Sequence, residues 1–147
     1  MSDLTAYGYS FLLDDGDLVI EDGKLRTIVG QDNLIQALTL RVLTPYGTDP
    51  FNITYGLDVT QVFTQPNGLR MLKELIKLHL VRTLGTDPRV SDIREVIFDD
   101  DPEYLKRHPD VDLQQLRDQH HRRLWQVDVI LDTIQSQSTM LSLTISV

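Results

Sequence analysis

Two alternating runs at the C-terminal end of the chain constrain the fold most. Trp125, Val127, Val129 and Leu131 alternate with Gln126, Asp128 and Asp132. After a polar turn at residues 135–138, Leu141, Leu143, Ile145 and Val147 alternate with Ser142, Thr144 and Ser146. A period of two sends successive side chains to opposite faces, so the segment predicts an antiparallel hairpin with one face buried. Residues 139–147 contain no charged side chain and no proline. Those are the residues that discourage a further strand from adding alongside. The second run is therefore either an interior strand or an edge that a partner completes by strand addition, a recognition mode based on main-chain hydrogen bonds.

The longest helical pattern runs over residues 66–90. Leu69, Leu72, Ile76, Leu80 and Leu84 recur at spacings of three and four, while Leu75, Leu78 and Val81 lie on other faces. That distribution predicts a central helix covered on more than one side. Gly85 is expected to take a left-handed cap, and Pro88 cannot continue the helix. Pro88 also pushes Asp87 towards extended geometry, and Arg89 then places a planar fork of five donors ahead of a strand over Val90–Phe98. Asp87 and Arg89 either tie the helix end to the sheet or offer donors to a partner's carboxylate or carbonyl groups.

The rest of the chain reads as shorter pieces. Residues 1–10 form a loose arm carrying two tyrosines, and Phe11 to Leu13 begin to pack. Asp14-Asp15-Gly16-Asp17 is a turn, and Leu18-Val19-Ile20, Asp22-Gly23 and residues 25–29 form a small hairpin ending at Gly30. Asp14, Asp15, Asp17 and Asp22 lack the spacing of a calcium loop. A helix follows over residues 33–43, with Asn33 and Gln36 as a capping box and Leu34, Ala37, Leu38, Arg41 and Val42 as its stripe. Arg41 is expected to snorkel at the rim of that stripe. Residues 44–63 form a long loop in which Tyr46, Phe51 and Tyr55 are expected to pack onto the core. Residues 99–123 are strongly polar, open on an acidic run that caps a following helix, and read as an insertion between two strands of one sheet. The neighbouring His120 and His121 do not face one way, as zinc ligands at i and i+4 would, and are expected at the surface.

The 147 residues suffice for one domain with a core of its own. The chain has no cysteine, which fits a reducing compartment, and its net charge of −8 argues against nonspecific binding to nucleic acid or an anionic membrane. Neither a leader peptide nor an apolar run long enough to span a bilayer is present, so the chain is expected to be soluble as made in the cytoplasm, with proteins for partners. Phosphate loops, nucleophile elbows and HExxH helices are absent. With 22 acidic residues, the existence of some carboxylate pair says nothing about glycoside hydrolysis. The expectation is an α+β domain, helices on a small antiparallel sheet, with no catalytic residue, cofactor or metal.

The order of features resembles a known family. Val29-Gly30 closing the hairpin, a helix entering Val42-Leu43-Thr44 with Gly47 shortly after, Tyr55-Gly56, and a long helix ending on Asp87-Pro88-Arg89 before a strand are similar to the phage baseplate wedge family. That family comprises the phage W-like proteins and the sheath initiators of contractile tails, type VI secretion baseplates and extracellular injection systems. The family's hallmark is Glu-Pro-Arg, and Asp87 here keeps the charge with a shorter reach. The likeness covers residues 18–97 and, more weakly, the final hairpin; residues 99–123 have no counterpart in it. It implies a structural baseplate protein, present in several copies, that links the inner wedge to the first sheath ring and initiates the sheath. Asp87, Pro88 and Arg89 would face the wedge proteins. Leu141, Ser142, Leu143, Thr144, Ile145, Ser146 and Val147 would belong to the sheath-docking sheet, with the tail tube as a further candidate partner. Some family members carry a lysozyme label, which makes a peptidoglycan-cleaving tail enzyme the alternative.

Overall fold

The structure, a computed structural model, describes residues 6–59, 62, 66 and 68–146. Its architecture is α+β. Six short strands open the chain: β1 (Tyr9–Phe11), β2 (Leu13–Asp14), β3 (Asp17–Leu18), β4 (Ile20–Glu21), β5 (Lys24–Leu25) and β6 (Thr27–Val29). They pair antiparallel as β1 with β6, β2 with β3 and β4 with β5. The two small hairpins turn at Asp15-Gly16 and Asp22-Gly23, all four residues having positive φ. Where the three pairs meet, Leu12, Val19 and Arg26 exchange backbone hydrogen bonds of 2.9–3.3 Å.

The expected loose arm therefore enters a paired strand at Tyr9 and Ser10, and Tyr7 just before it is buried; residues 1–5 of that arm lie outside the described residues. What holds it down is α1 (Gly30–Leu43), three residues longer at its start than the pattern suggests. Asn33 and Gln36 do not form the expected capping box, because both lie inside the helix, three apart on one face. Asn33 Nδ2 donates to the Tyr7 carbonyl at 2.8 Å, while Gln36 Nε2 donates to the Phe11 carbonyl and its Oε1 accepts from the Leu13 N–H at 3.0 Å. Side chains that read as a local cap instead satisfy the backbone of a strand some 25 residues earlier.

The loop after α1 returns at Gly56, where a Cβ would collide with the Thr44 and Pro45 backbone and φ is +108°. Its aromatics depart from expectation. Tyr46 is 49% exposed and Phe51 98% exposed, and only Tyr55 is half-buried, lying under the Arg41 guanidinium. Thr60, Gln61 and Phe63 of this segment lie outside the described residues.

The central helix, α2, spans Leu69–Leu84. Ile76, Leu80 and Leu84 are fully buried, but Leu78 is 61% exposed and Val81 and Met71 are exposed as well. The helix is thus covered along one stripe only, correcting the two-sided covering expected from its leucines. Gly85 is right-handed with φ −67°, not left-handed. A Cβ there would sit 2.9 Å from the Val81 carbonyl oxygen, which accepts the Gly85 N–H, so close approach favours glycine at this position.

The main sheet has three antiparallel strands in the order β7 (Val90–Phe98), β8 (Leu124–Thr133) and β9 (Ser138–Ser146). Its inner face carries Val127, Val129, Leu131, Leu141 and Leu143, which form one core with Leu34, Leu38 and Val42 of α1 and Ile76, Leu80 and Leu84 of α2. Each fully buried aliphatic side chain contributes on the order of 2 kcal/mol. Between β7 and β8 the polar segment forms α3 (Pro102–Arg107) and α4 (Leu113–His121), capped by the Asp101 and Asp112 side chains. It is not a fully solvated excursion, since Tyr104 and Leu116 are buried against the domain.

Candidate functional site

The first candidate surface is the corner after α2. The Asp87 carboxylate is 3% exposed, and its Oδ1 accepts from the Arg89 N–H and Nε at 2.9 Å each, while its Oδ2 accepts from Nη2 at 2.7 Å. Asp87 to Val90 close a turn in which the Val90 N–H donates to the Asp87 carbonyl at 3.1 Å, and with Pro88 fixing φ at its second position the Arg89 fork folds back on the acid. Arg89 Nη1 then donates to the Tyr7 carbonyl at 3.1 Å, the same oxygen that takes Asn33, and the Tyr7 hydroxyl bonds Thr133 Oγ1 at 2.6 Å. The Arg89 carbonyl accepts from Ile134 N–H at 3.0 Å. The corner therefore joins α2, the N-terminal strands, α1 and the end of β8.

Electrostatics follow the geometry. Burial alone would favour neutral Asp87, but the hydrogen bonds and charge of Arg89 outweigh it and hold the carboxyl below its ordinary value. The same hydrogen bonds raise Arg89. Burial raises the nearby Tyr55 hydroxyl. Asp87 thus acts on Arg89, and outward contact at the corner is left to the exposed Pro88 ring and to the guanidinium N–H groups not used within the chain.

The second surface is the free edge of β9, which among the described residues pairs with β8 alone. Thr133 N–H donates to the Gln137 carbonyl at 2.9 Å, setting the phase of the ladder. In an antiparallel pair a residue's N–H and C=O point the same way and alternate along the strand. Thr139, Leu141, Leu143 and Ile145 consequently turn their backbones to β8, whereas Met140, Ser142, Thr144 and Ser146 turn theirs to the open side. Side chains alternate as the sequence suggests, with Leu141, Leu143 and Ile145 buried and Ser142, Thr144 and Ser146 exposed. Val147 lies outside the described residues. The opposite edge, β7, differs in kind: its register shifts between Val90 and Asp92 and again between Ile93 and Glu95, and Asp92, Arg94 and Glu95 are charged. Bulges and charges guard that edge, while β9 carries neither.

Residues 99–123 contribute two histidine–carboxylate pairs that sequence reasoning missed. Asp99, 1% exposed, accepts from Gln126 N–H at 3.0 Å and lies 2.8 Å from His120 Nε2, whose ring stacks on Trp125. His120 is therefore half-buried, not at the surface, and only His121 is exposed. Asp128, also buried, lies 2.6 Å from His108 Nε2 and accepts from Ser142 Oγ at 2.9 Å, and the Tyr104 ring lies against His108. Burial, then the charges of Asp128 and Asp99, raise the Tyr104 hydroxyl. The grouping of serine, aspartate and histidine is not in the order of a nucleophilic triad: the hydroxyl meets the carboxylate rather than the imidazole that would have to take its proton. These pairs fasten the polar segment to β8. Asp128 sits at an outward position of an alternating strand, and no local pattern distinguishes such an aspartate from a solvated one.

No helix among the described residues is long and apolar enough to cross a membrane. Comparisons with protein-family models, with curated proteins and with solved structures find no match for this chain.

Proposed function

We propose that the chain is a structural baseplate component of a contractile tail or contractile injection system, linking the inner wedge to the first sheath ring and initiating the sheath. The observation that carries this reading is the asymmetry of the main sheet, one edge bulged and charged, the other regular, uncharged and open along β9. An open edge of that kind offers a row of unpaired N–H and C=O groups to an added strand. The family resemblance supplies the identity of that strand, an arm of the sheath protein, and assigns the wedge side to the corner at Asp87-Pro88-Arg89.

Thr144 gives the cleanest test. Its side chain makes only an exposed hydrogen bond to Gln126, and its N–H points away from β8, so Thr144→Pro removes an outward donor without breaking the existing ladder. Particles assembled with this variant are expected to show tubes and baseplates without sheath in electron micrographs, while the purified variant keeps its circular dichroism spectrum. Sheaths of normal length on such particles reject strand addition at β9.

A further inference from the structure

A polar cleft of about 540 Å³ opens between the C-terminal ends of α1 and α2 and the loop that joins them on one side, apart from the free edge of β9. Arg41, Tyr46, Asp58, His79, Arg82 and Thr86 are among its lining residues. In a chain with 22 acidic and 14 basic side chains, the two arginines here have no carboxylate within salt-bridge distance among the described residues. Arg41 is held in place all the same. Its Nη1 donates to Thr86 Oγ1 at 2.7 Å, its guanidinium carbon lies 4.7 Å from the centre of the Tyr55 ring, and Thr86 is itself anchored on the Thr83 carbonyl. Such an arginine is ordered before any ligand arrives, with further N–H donors free. His79 and Arg82 follow each other at i and i+3 on α2, so they share a face, and neither side chain has a hydrogen bond or ion pair among the described residues. Arg41 and Arg82 each sit in the last turn of a helix, where the dipole favours a cation. The dipole accounts for each arginine separately and not for their convergence on one cleft.

Beside the cleft, the loop presents apolar side chains in a built conformation. Asp49 Oδ1 accepts from the N–H groups of Phe51 and Asn52 at 2.9 and 3.3 Å, and Thr54 Oγ1 donates to Asn52 Oδ1 at 2.9 Å. That hydrogen-bonded tip holds Phe51 98% exposed and Ile53 69% exposed. Exposed aromatic and aliphatic side chains next to guanidinium groups that lack a salt-bridge partner are the composition of a recognition surface.

We infer that this cleft docks a partner segment that carries carboxylates beside apolar side chains, the acids meeting Arg41 and Arg82 and the apolar groups meeting Tyr46, Phe51 and Ile53. The inference does not depend on strand addition at β9. Among the residues lining the cleft, Arg41 and Arg82 outnumber the carboxylate Asp58, within a molecule of net charge −8. An acidic segment would be repelled by most of this surface and admitted here, which gives register as well as attraction.

The test uses the full chain and three labelled decapeptides alternating leucine with glutamate, serine or lysine. Fluorescence anisotropy should show the glutamate peptide binding more tightly than the other two, with amide shifts in NMR spectra at Arg41, Tyr46 and Arg82. Arg82→Glu should weaken that binding by about tenfold, as expected for the loss of one charged contact, with no change in melting temperature. Arg82→Gln serves as the milder variant if charge reversal disturbs folding. Equal affinity for the serine peptide, stronger binding of a single-stranded oligonucleotide, amide shifts confined to other surfaces, or unaltered binding to a folded Arg82 variant would each overturn the inference.

Discussion

Arg89→Ala leaves behind a carboxylate that is 3% exposed and has lost all its side-chain donors, together with a Tyr7 carbonyl that keeps only Asn33. Breaking a buried pair from one side is costly because the remaining charge stays desolvated. The variant is expected to lose about 2–4 kcal/mol in urea unfolding. Arg89→Lys should recover only part of this, since an ammonium cannot reproduce the two parallel bonds to Asp87. A loss below the error of the measurement would show that the corner does not hold the subunit together. The acid side of the pair has a pH signature. The Asp87 carboxyl is held below its ordinary value, so its contribution is present above the unfolded-state value and disappears as the pH falls through the lower folded value. Melting temperature followed from pH 6 downwards should therefore fall less steeply for Asp87→Asn than for the native chain, from a lower starting point. Parallel curves would contradict the assignment.

At the level of elements, the legible parts were those whose information is local. The β7 strand at Val90–Phe98 and the alternation of β8 and β9 follow from period two, and the buried stripe Ile76, Leu80, Leu84 follows from the helical period. Periodicity says which residues share a face and not what covers the face, which is why Leu78 and Val81 looked buried and are exposed. Asn33, Gln36, Asp99 and Asp128 were misread or missed for one reason: their partners lie some 20 to 27 residues away in sequence. The polar segment shows the consequence. Because His120 joins Asp99 and covers Trp125, His120→Ala should speed amide exchange across α4, while the core amides of β8 facing β9 keep their protection. Loss of protection throughout the sheet would mean that residues 99–123 are part of the core's folding unit and not an addition to it.

On the scale of the whole molecule, the fold is a sheet covered by two helices on one face and braced by a corner that ties both ends of the chain's first half to β8. One sheet edge is closed by bulges and charges, and the other stands open. In the proposed function the open edge receives a strand of a larger particle, and the peptidoglycan-cleaving alternative is addressed by assay. Purified protein incubated with cell-wall material is expected to release no soluble fragments; release abolished by a single carboxylate substitution would favour the enzyme.

Amide hydrogen exchange along β9, with and without sheath protein, reaches the main claim most directly. The amides of Met140, Ser142 and Thr144, which point to the open side, are expected to exchange fast in the isolated chain and to slow by about a hundredfold or more in the complex, as for newly paired strand amides. Sheath protein bound with those three amides still exchanging as in the free chain would contradict the account.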